Sequence, residues 1–451
     1  MCDITEKMIK KDLKYLWHPY TQMKDCEAMP PIPIKKAAGI KLYDYEDNFY
    51  YDTISSWWCN VHGHGHPAIR KAVKDQLDKL EHVLFAGFTH GPAIALAEKL
   101  VEISPPGLTR VFYSDNGSTA VEVALKMSFQ YWRNRAEKNR TAFLSFDRAY
   151  HGDTVGAMSV SGVDAYNRLF EQLFFKSFKT KVPFYFNETP RADKKALEEE
   201  CYSRIRKILE KNQERIAAVI AEPLLLCAGG MLVYSPEFLK RVRKLTREFN
   251  THLILDEVAT GFGRTGKMFA CEHAGIVPDF MCVSKGITGG FFPLGATLTV
   301  DDIYNAFYDD YVKNKTFFHG HTYTANPVSC RAANASIELF KKENTLSNVS
   351  YIEKKIQNFL ADLQKMEVVS NTRCIGAVGA FDINKSELKN TGRRGYERTG
   401  FEIYRRALKK NLLLRPLGDT IYLFLPLCAN KEELEDIFTR TFSVIEEINA
   451  G

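Results

Sequence analysis

Three short stretches of this chain carry residue types that could do chemistry together. Lys285 follows the apolar run Phe280-Met281-Cys282-Val283 and precedes a glycine-rich segment, so its amine can project into a cleft. A lysine so placed can form a Schiff base with a carbonyl compound. Leu253-Ile254-Leu255-Asp256 ends another apolar run in a carboxylate. Asp115-Asn116-Gly117-Ser118-Thr119 passes through a turn into a helical pattern, where free backbone N–H groups and the helix dipole can hold an anion. Taken singly, these are a surface lysine, a strand end and a helix cap. Together they are a lysine for an imine, a carboxylate for a pyridine nitrogen and a cradle for a phosphate, which is what a pyridoxal phosphate site requires.

Other stretches offer weaker chemistry. Gly261 to Lys267 has the frame of a nucleotide-binding P-loop, but Met268 stands where the hydroxyl that binds magnesium belongs. His62, His64 and His66 alternate with glycines, and a structural turn is the preferred reading over a metal site. Trp57 and Trp58 are adjacent. In an extended chain they would face opposite ways, leaving one free to line a site.

The elements that must position these groups alternate in type. Apolar runs at Arg110–Ser114, 142–146, 216–221, 253–256 and 280–284 read as buried strands. Helical patterns lie between them, one from Ser118 to about Arg135 and one whose start is marked by Ser235-Pro236. Strand alternating with helix implies a mainly parallel sheet covered on both faces, with ligands at the carboxyl ends of its strands. Asp115, Asn116, Asp147, Glu222, Asp256, Glu257 and Lys285 all sit just past such ends. We expect an N-terminal segment over 1–75, irregular apart from a hairpin near 41–52. A large cofactor domain over 76–328 follows, then a helix-rich small domain over 329–451 with one late strand at 420–425.

Composition narrows the class. The chain has 451 residues, 45% hydrophobic and 26% charged, with a net charge of +6, which suits a folded enzyme and gives no nucleic-acid surface. Ten cysteines are scattered without a Cys-x-x-Cys pair, as expected of free thiols in a reducing, cytoplasmic setting. No apolar run is long enough to span a bilayer, and the charged N-terminus is unlike a signal peptide.

Asp256 to Lys267 and Ser284-Lys285-Gly286 resemble the signature segments of the class-III aminotransferases of pyridoxal-phosphate fold type I, a likeness that runs from Leu16 to about Pro426. Trp17-His18-Pro19-Tyr20, Ser55-Ser56-Trp57-Trp58, Tyr150 to Val160 and Arg415-Pro416-Leu417-Gly418-Asp419 narrow it. They point to the branch that converts 8-amino-7-oxononanoate (7-keto-8-aminopelargonate) to 7,8-diaminopelargonate in biotin synthesis. The resemblance implies an α/β fold with a large domain built on a mainly parallel sheet. A smaller α+β domain is formed by the N- and C-terminal segments.

The resemblance also assigns roles. Lys285 holds pyridoxal 5'-phosphate, Asp256 pairs with its ring nitrogen, and Tyr150 stacks over the ring. Gly117 and Ser118 grip the phosphate, completed by Thr322 of the partner subunit, with His321 and Glu222 nearby. Tyr20, Trp57, Trp58, Tyr150, Lys285, Gly320 and Arg415 face substrate, and two copies form a homodimer with shared sites. S-adenosylmethionine is the expected amino donor, because Trp57 suits its sulfonium. Lysine is the alternative, because His321 stands where members that use S-adenosylmethionine have proline. Another ω-aminotransferase activity is a further reading, and a non-catalytic cofactor-binding protein is the reading from a different class.

Overall fold

A computed structural model describes residues 3–388 and 398–450. Its centre is a seven-stranded sheet. In chain order the strands are β1 (Leu108–Ser114), β2 (Ala142–Phe146), β3 (Ser177–Thr180), β4 (Ile216–Ala221), β5 (His252–Asp256), β6 (Phe280–Val283) and β7 (Gly295–Val300). Their spatial order is β1-β7-β6-β5-β4-β2-β3. Every neighbouring pair is parallel except the two that involve β7, which runs against both β1 and β6. Every residue of β2, β4, β5 and β6 is buried, as strands covered by helices on both faces must be. The mainly parallel α/β expectation holds, and β3 and β7 are additions to it.

Register sets the site. Asp256 pairs with Cys282 across β5 and β6, so the carboxylate and Lys285 emerge at the same edge. Glu222 leaves that edge from β4, and the turn after β1 opens helix α1 (Gly117–Asn134) there. Asn116 caps α1: its side chain accepts from the Thr119 N–H at 3.0 Å, and the Thr119 hydroxyl accepts from the Asn116 N–H at 3.1 Å. Helix α2 (Pro236–Glu248) begins as the sequence predicts, with the Ser235 hydroxyl accepting from the Phe238 N–H at 3.0 Å.

Two regions depart from expectation. The first 75 residues contain the expected hairpin, Lys41–Asp44 against Phe49–Tyr51, but also helices at Asp3–Tyr15 and Pro67–Leu77. The first of these carries exposed Ile4, Met8 and Leu13, an apolar stripe too broken to read as core. Beyond helix α3 (Pro327–Lys342), the expected late strand Thr420–Phe424 is joined by Val369–Ile375 and Val378–Ile383 in an antiparallel sheet. The first of these hides in the sequence because buried Arg373 and Thr372 interrupt its apolar pattern. No helix among the described residues is long and apolar enough to cross a membrane.

Candidate active site

At the carboxyl edge of the sheet lies a cavity of about 450 Å3, lined by Trp58, Asn116, Gly117, Ser118, Tyr150, His151, Asp153, Thr154, Glu222, Asp256, Val258, Ala259 and Lys285. Lys285 sits in the left-handed region, at φ 47°, just after β6, and its Nζ lies 5.1 Å from the centre of the Trp58 ring. Asp256 is buried; its Oδ2 is 2.7 Å from His151 Nδ1, and its Oδ1 accepts from the Val258 N–H at 3.1 Å. The other imidazole nitrogen of His151 is buried with no hydrogen-bond partner among the described residues. His151 was missed in the sequence, although it directly follows Tyr150.

Glu222 lies fully inside. One carboxylate oxygen accepts from the Tyr150 N–H at 2.9 Å and the other from the Cys227 N–H at 3.0 Å. Burial pushes its pKa up to about 7; His151 opposes that shift and the Asp256 charge adds to it. Glu257 points away from the cavity and holds Thr260, Ala270 and Cys271 instead. The Tyr150 hydroxyl is raised above its usual range, chiefly by burial. It stands 3.4 Å from the Tyr20 hydroxyl, which donates to Asp153 at 2.6 Å.

Three glycines press the start of α1 against its surroundings. A Cβ on Gly117 would come within 2.5 Å of Val258 Cγ1, one on Gly152 within 2.3 Å of Ser118 Oγ, and one on Gly156 within 2.2 Å of Glu122 Oε2. The Ser118 hydroxyl is 2.7 Å from that of Thr154, whose hydroxyl donates to Glu122 at 2.6 Å.

A second cavity, of about 570 Å3, is lined by Tyr20 and Arg415 among others, including Tyr50, Tyr404, Leu408 and Leu413. The Arg415 guanidinium lies 5.2 Å from the centre of the Trp57 ring and donates to the Tyr20 carbonyl at 3.5 Å, with no carboxylate partner among the described residues. Trp57 meets Tyr20 edge-to-face at 5.6 Å. The two cavities are thus walled by neighbouring aromatic side chains, Tyr20 on one side and Tyr150 on the other.

The paired tryptophans are not extended. Ser55, Ser56, Trp57 and Trp58 all have positive φ, from 46° to 76°, and form one left-handed turn closed by hydrogen bonds from the Trp58 and Cys59 N–H groups to the Ile54 and Ser55 carbonyls. Left-handed backbone costs about 1–2 kcal/mol per L-residue, so other contacts must hold it. The turn splits the pair: Trp57 stays partly exposed, while Trp58 is buried, stacks on Phe424 and donates from its indole to the Tyr422 hydroxyl at 3.2 Å.

The three histidines go to three places. His62 bonds the Ser336 carbonyl at 2.9 Å and is held neutral by burial, with its pKa lowered to about 4. His64 bonds Asp52, and His66 bonds Glu343 and caps the helix at Pro67. In the P-loop-like segment, Arg264 runs inward to the Leu425 carbonyl, and Lys267 bonds the Glu272 carbonyl.

The class-III aminotransferase family model matches residues 22–445. The chain belongs to the class-III aminotransferases. It is 42% identical to the adenosylmethionine-8-amino-7-oxononanoate aminotransferase of Aquifex aeolicus, over 99% of both chains. The crystal structure of the enzyme of that name from Methanocaldococcus jannaschii is 38% identical, with a TM-score of 0.91 over 98% of this chain and 99% of that one. The omega transaminase of Pseudomonas jessenii in complex with PMP is 26% identical, with a TM-score of 0.92 over 98% of each chain.

This aminotransferase is a pyridoxal phosphate enzyme, and its residues fit that cofactor. The cavity brings together an amine, a buried carboxylate with an imidazole partner, and a capped helix start. The unpartnered His151 nitrogen leaves a buried polar atom in the same wall. Of the residues read from the sequence, Lys285, Asp256, Tyr150, Gly117, Ser118, Glu222 and Trp58 come together here, and Tyr20, Trp57 and Arg415 gather beside them. Gly320, His321 and Thr322 do not line the Lys285 cavity of their own chain; Gly320 and Thr322 are exposed, and His321 lies 4.0 Å from Asp115.

Proposed function

We propose that this aminotransferase converts 8-amino-7-oxononanoate to 7,8-diaminopelargonate, with S-adenosylmethionine as donor, in biotin synthesis. The observation that carries the acceptor is Arg415, a guanidinium with no carboxylate partner among the described residues, set beside the aromatic walls of Tyr20 and Trp57. A keto acid with a carboxylate far from its carbonyl needs such a cation at the distant end of its slot. The donor rests on Trp57, whose partly exposed indole offers a face to a sulfonium. The names of the relatives agree with both.

Bound pyridoxal phosphate supplies a carbonyl for the amino group and a ring that takes up the electrons of a broken C–H bond. Lys285 would hold that carbonyl, and its amine would move the proton at the reacting carbon. Asp256, oriented by His151, would keep a proton on the ring nitrogen. Gly117 and Ser118 would bind the phosphate and Tyr150 would cover the ring, while Glu222 fixes the Tyr150 backbone. Arg415 orients the acceptor, and the paired tyrosines separate the reacting end from the carboxylate end.

A cytoplasmic homodimer completes the reading. The stretch before His321 carries Tyr308, Tyr311, Val312 and Phe318, each at least 75% exposed in one chain. So much apolar surface needs a cover, and a second copy seated there would bring Thr322 toward its neighbour's phosphate site. The nine described cysteines are all free thiols, as suits a reducing compartment.

A single-turnover experiment tests the donor. Holoenzyme is mixed with S-adenosylmethionine or lysine, without acceptor, and the cofactor absorbance is followed. We expect S-adenosylmethionine to change the spectrum; conversion by lysine alone would overturn the donor.

A further inference from the structure

We infer that Asp52 and His64 are positioning residues for the amino donor, acting through Trp57. The left-handed turn has no conformational reason to persist on its own, because L-residues favour the opposite hand. What fixes its Trp57 side is Ser56. The Ser56 N–H donates to one oxygen of Asp52 at 2.8 Å, and the Ser56 hydroxyl donates to the other at 2.6 Å. The Asp52 side chain is wholly buried, and its second oxygen also takes the Nε2–H of His64 at 2.9 Å. A carboxylate can only accept, so this contact sets the proton of His64 on Nε2. His64 is itself anchored by paired backbone hydrogen bonds with Gly39, its N–H at 2.7 Å and its carbonyl at 3.2 Å.

The Trp58 side of the turn is held separately. Tyr422 and Phe424 grip its indole, and the Ser55 hydroxyl donates to the Phe424 carbonyl at 2.6 Å. Loosening the Asp52 clasp therefore frees Trp57, with its contacts to Tyr20 and Arg415, while Trp58 stays beneath Lys285. A buried carboxylate that loses one of its three donors holds the remaining two less well. The inference rests on the proposed placement of the donor against Trp57.

The test is a double-mutant cycle on holoenzyme, using the donor that gives turnover. His64→Ala should raise the donor KM about five- to tenfold, the keto-acid KM less than about twofold, and leave the cofactor spectrum unchanged. His64→Gln, whose amide reaches the same place, should restore most of the loss. In a Trp57→Ala background, His64→Ala should add nothing. An equal effect of His64→Ala with and without Trp57, or failure of His64→Gln to restore function, would overturn the inference. If Trp57→Ala leaves the donor KM unchanged, the placement of the donor fails and the inference falls with it. If Trp57→Ala raises the donor KM and His64→Ala does not, only the clasp fails.

Discussion

Removing the Arg415 guanidinium separates the two substrates. A carboxylate about 4 Å from a guanidinium gains about 4 kcal/mol at the effective dielectric of about 20 found near a protein surface. Arg415 is half-buried. Solvent screening and the ordering of both chains then leave about 2 kcal/mol. Arg415→Ala should therefore raise the keto-acid KM about thirtyfold. The donor feels the change only through Trp57, which loses its cation at 5.2 Å. A contact of that kind is worth about 0.5–1 kcal/mol when solvent-exposed, which is at most about fivefold on the donor. The assay is steady-state kinetics with each substrate varied in turn, accompanied by a thermal melt. Equal changes in the two KM values would refute the reasoning and place the acceptor's carboxylate elsewhere.

Three further outcomes are expected. Lys285→Ala should abolish turnover and prevent borohydride from fixing the cofactor to the protein, as read by peptide mass; turnover at the native rate would refute the assignment. Asp256→Asn should cost far more activity than stability, because the amide keeps the shape and loses the charge beside His151; unchanged activity would give the role to Glu222. Burial raises the Glu222 pKa from 4.5 to about 7, so the fold favours the neutral carboxyl. That contribution is full below pH 4.5 and is lost as pH rises through about 7. Relative to Glu222→Gln, the native protein should lose up to about 3 kcal/mol across that window. Urea melts of both proteins at about pH 5 and about pH 8 measure it; a difference that does not move with pH would refute it.

What could be read from the sequence followed from the parallel sheet. Lys285, Asp256 and Glu222 lie just past, or at the end of, buried apolar runs, so a fold rule alone carried them to one edge. Ser118 and Gly117 were legible because a helix start is written in its cap. The rest depended on contacts distant in the chain. His151 matters through Asp256, 105 positions away, and Arg373 interrupts a strand because it bonds the Gly230 carbonyl and Asp382. Adjacent tryptophans gave two sides but not the hand of the turn, which is imposed by Asp52 and by the Phe424 carbonyl. Gly320, His321 and Thr322 came from family likeness, and no feature of a single chain draws them toward Lys285.

The three crowded glycines have a mechanical consequence. With no room for a Cβ between Gly152 and Ser118, or between Gly156 and Glu122, the segment carrying Tyr150 and His151 cannot slide along the start of α1. The parts meant for the phosphate and the parts meant for the ring then move as a single jaw. A side chain at Gly152, where φ is 124° and a Cβ would come within 2.8 Å of the Ser118 Cα, would wedge that jaw open, and the defect should show as cofactor lost during prolonged dialysis, well before any loss of fold.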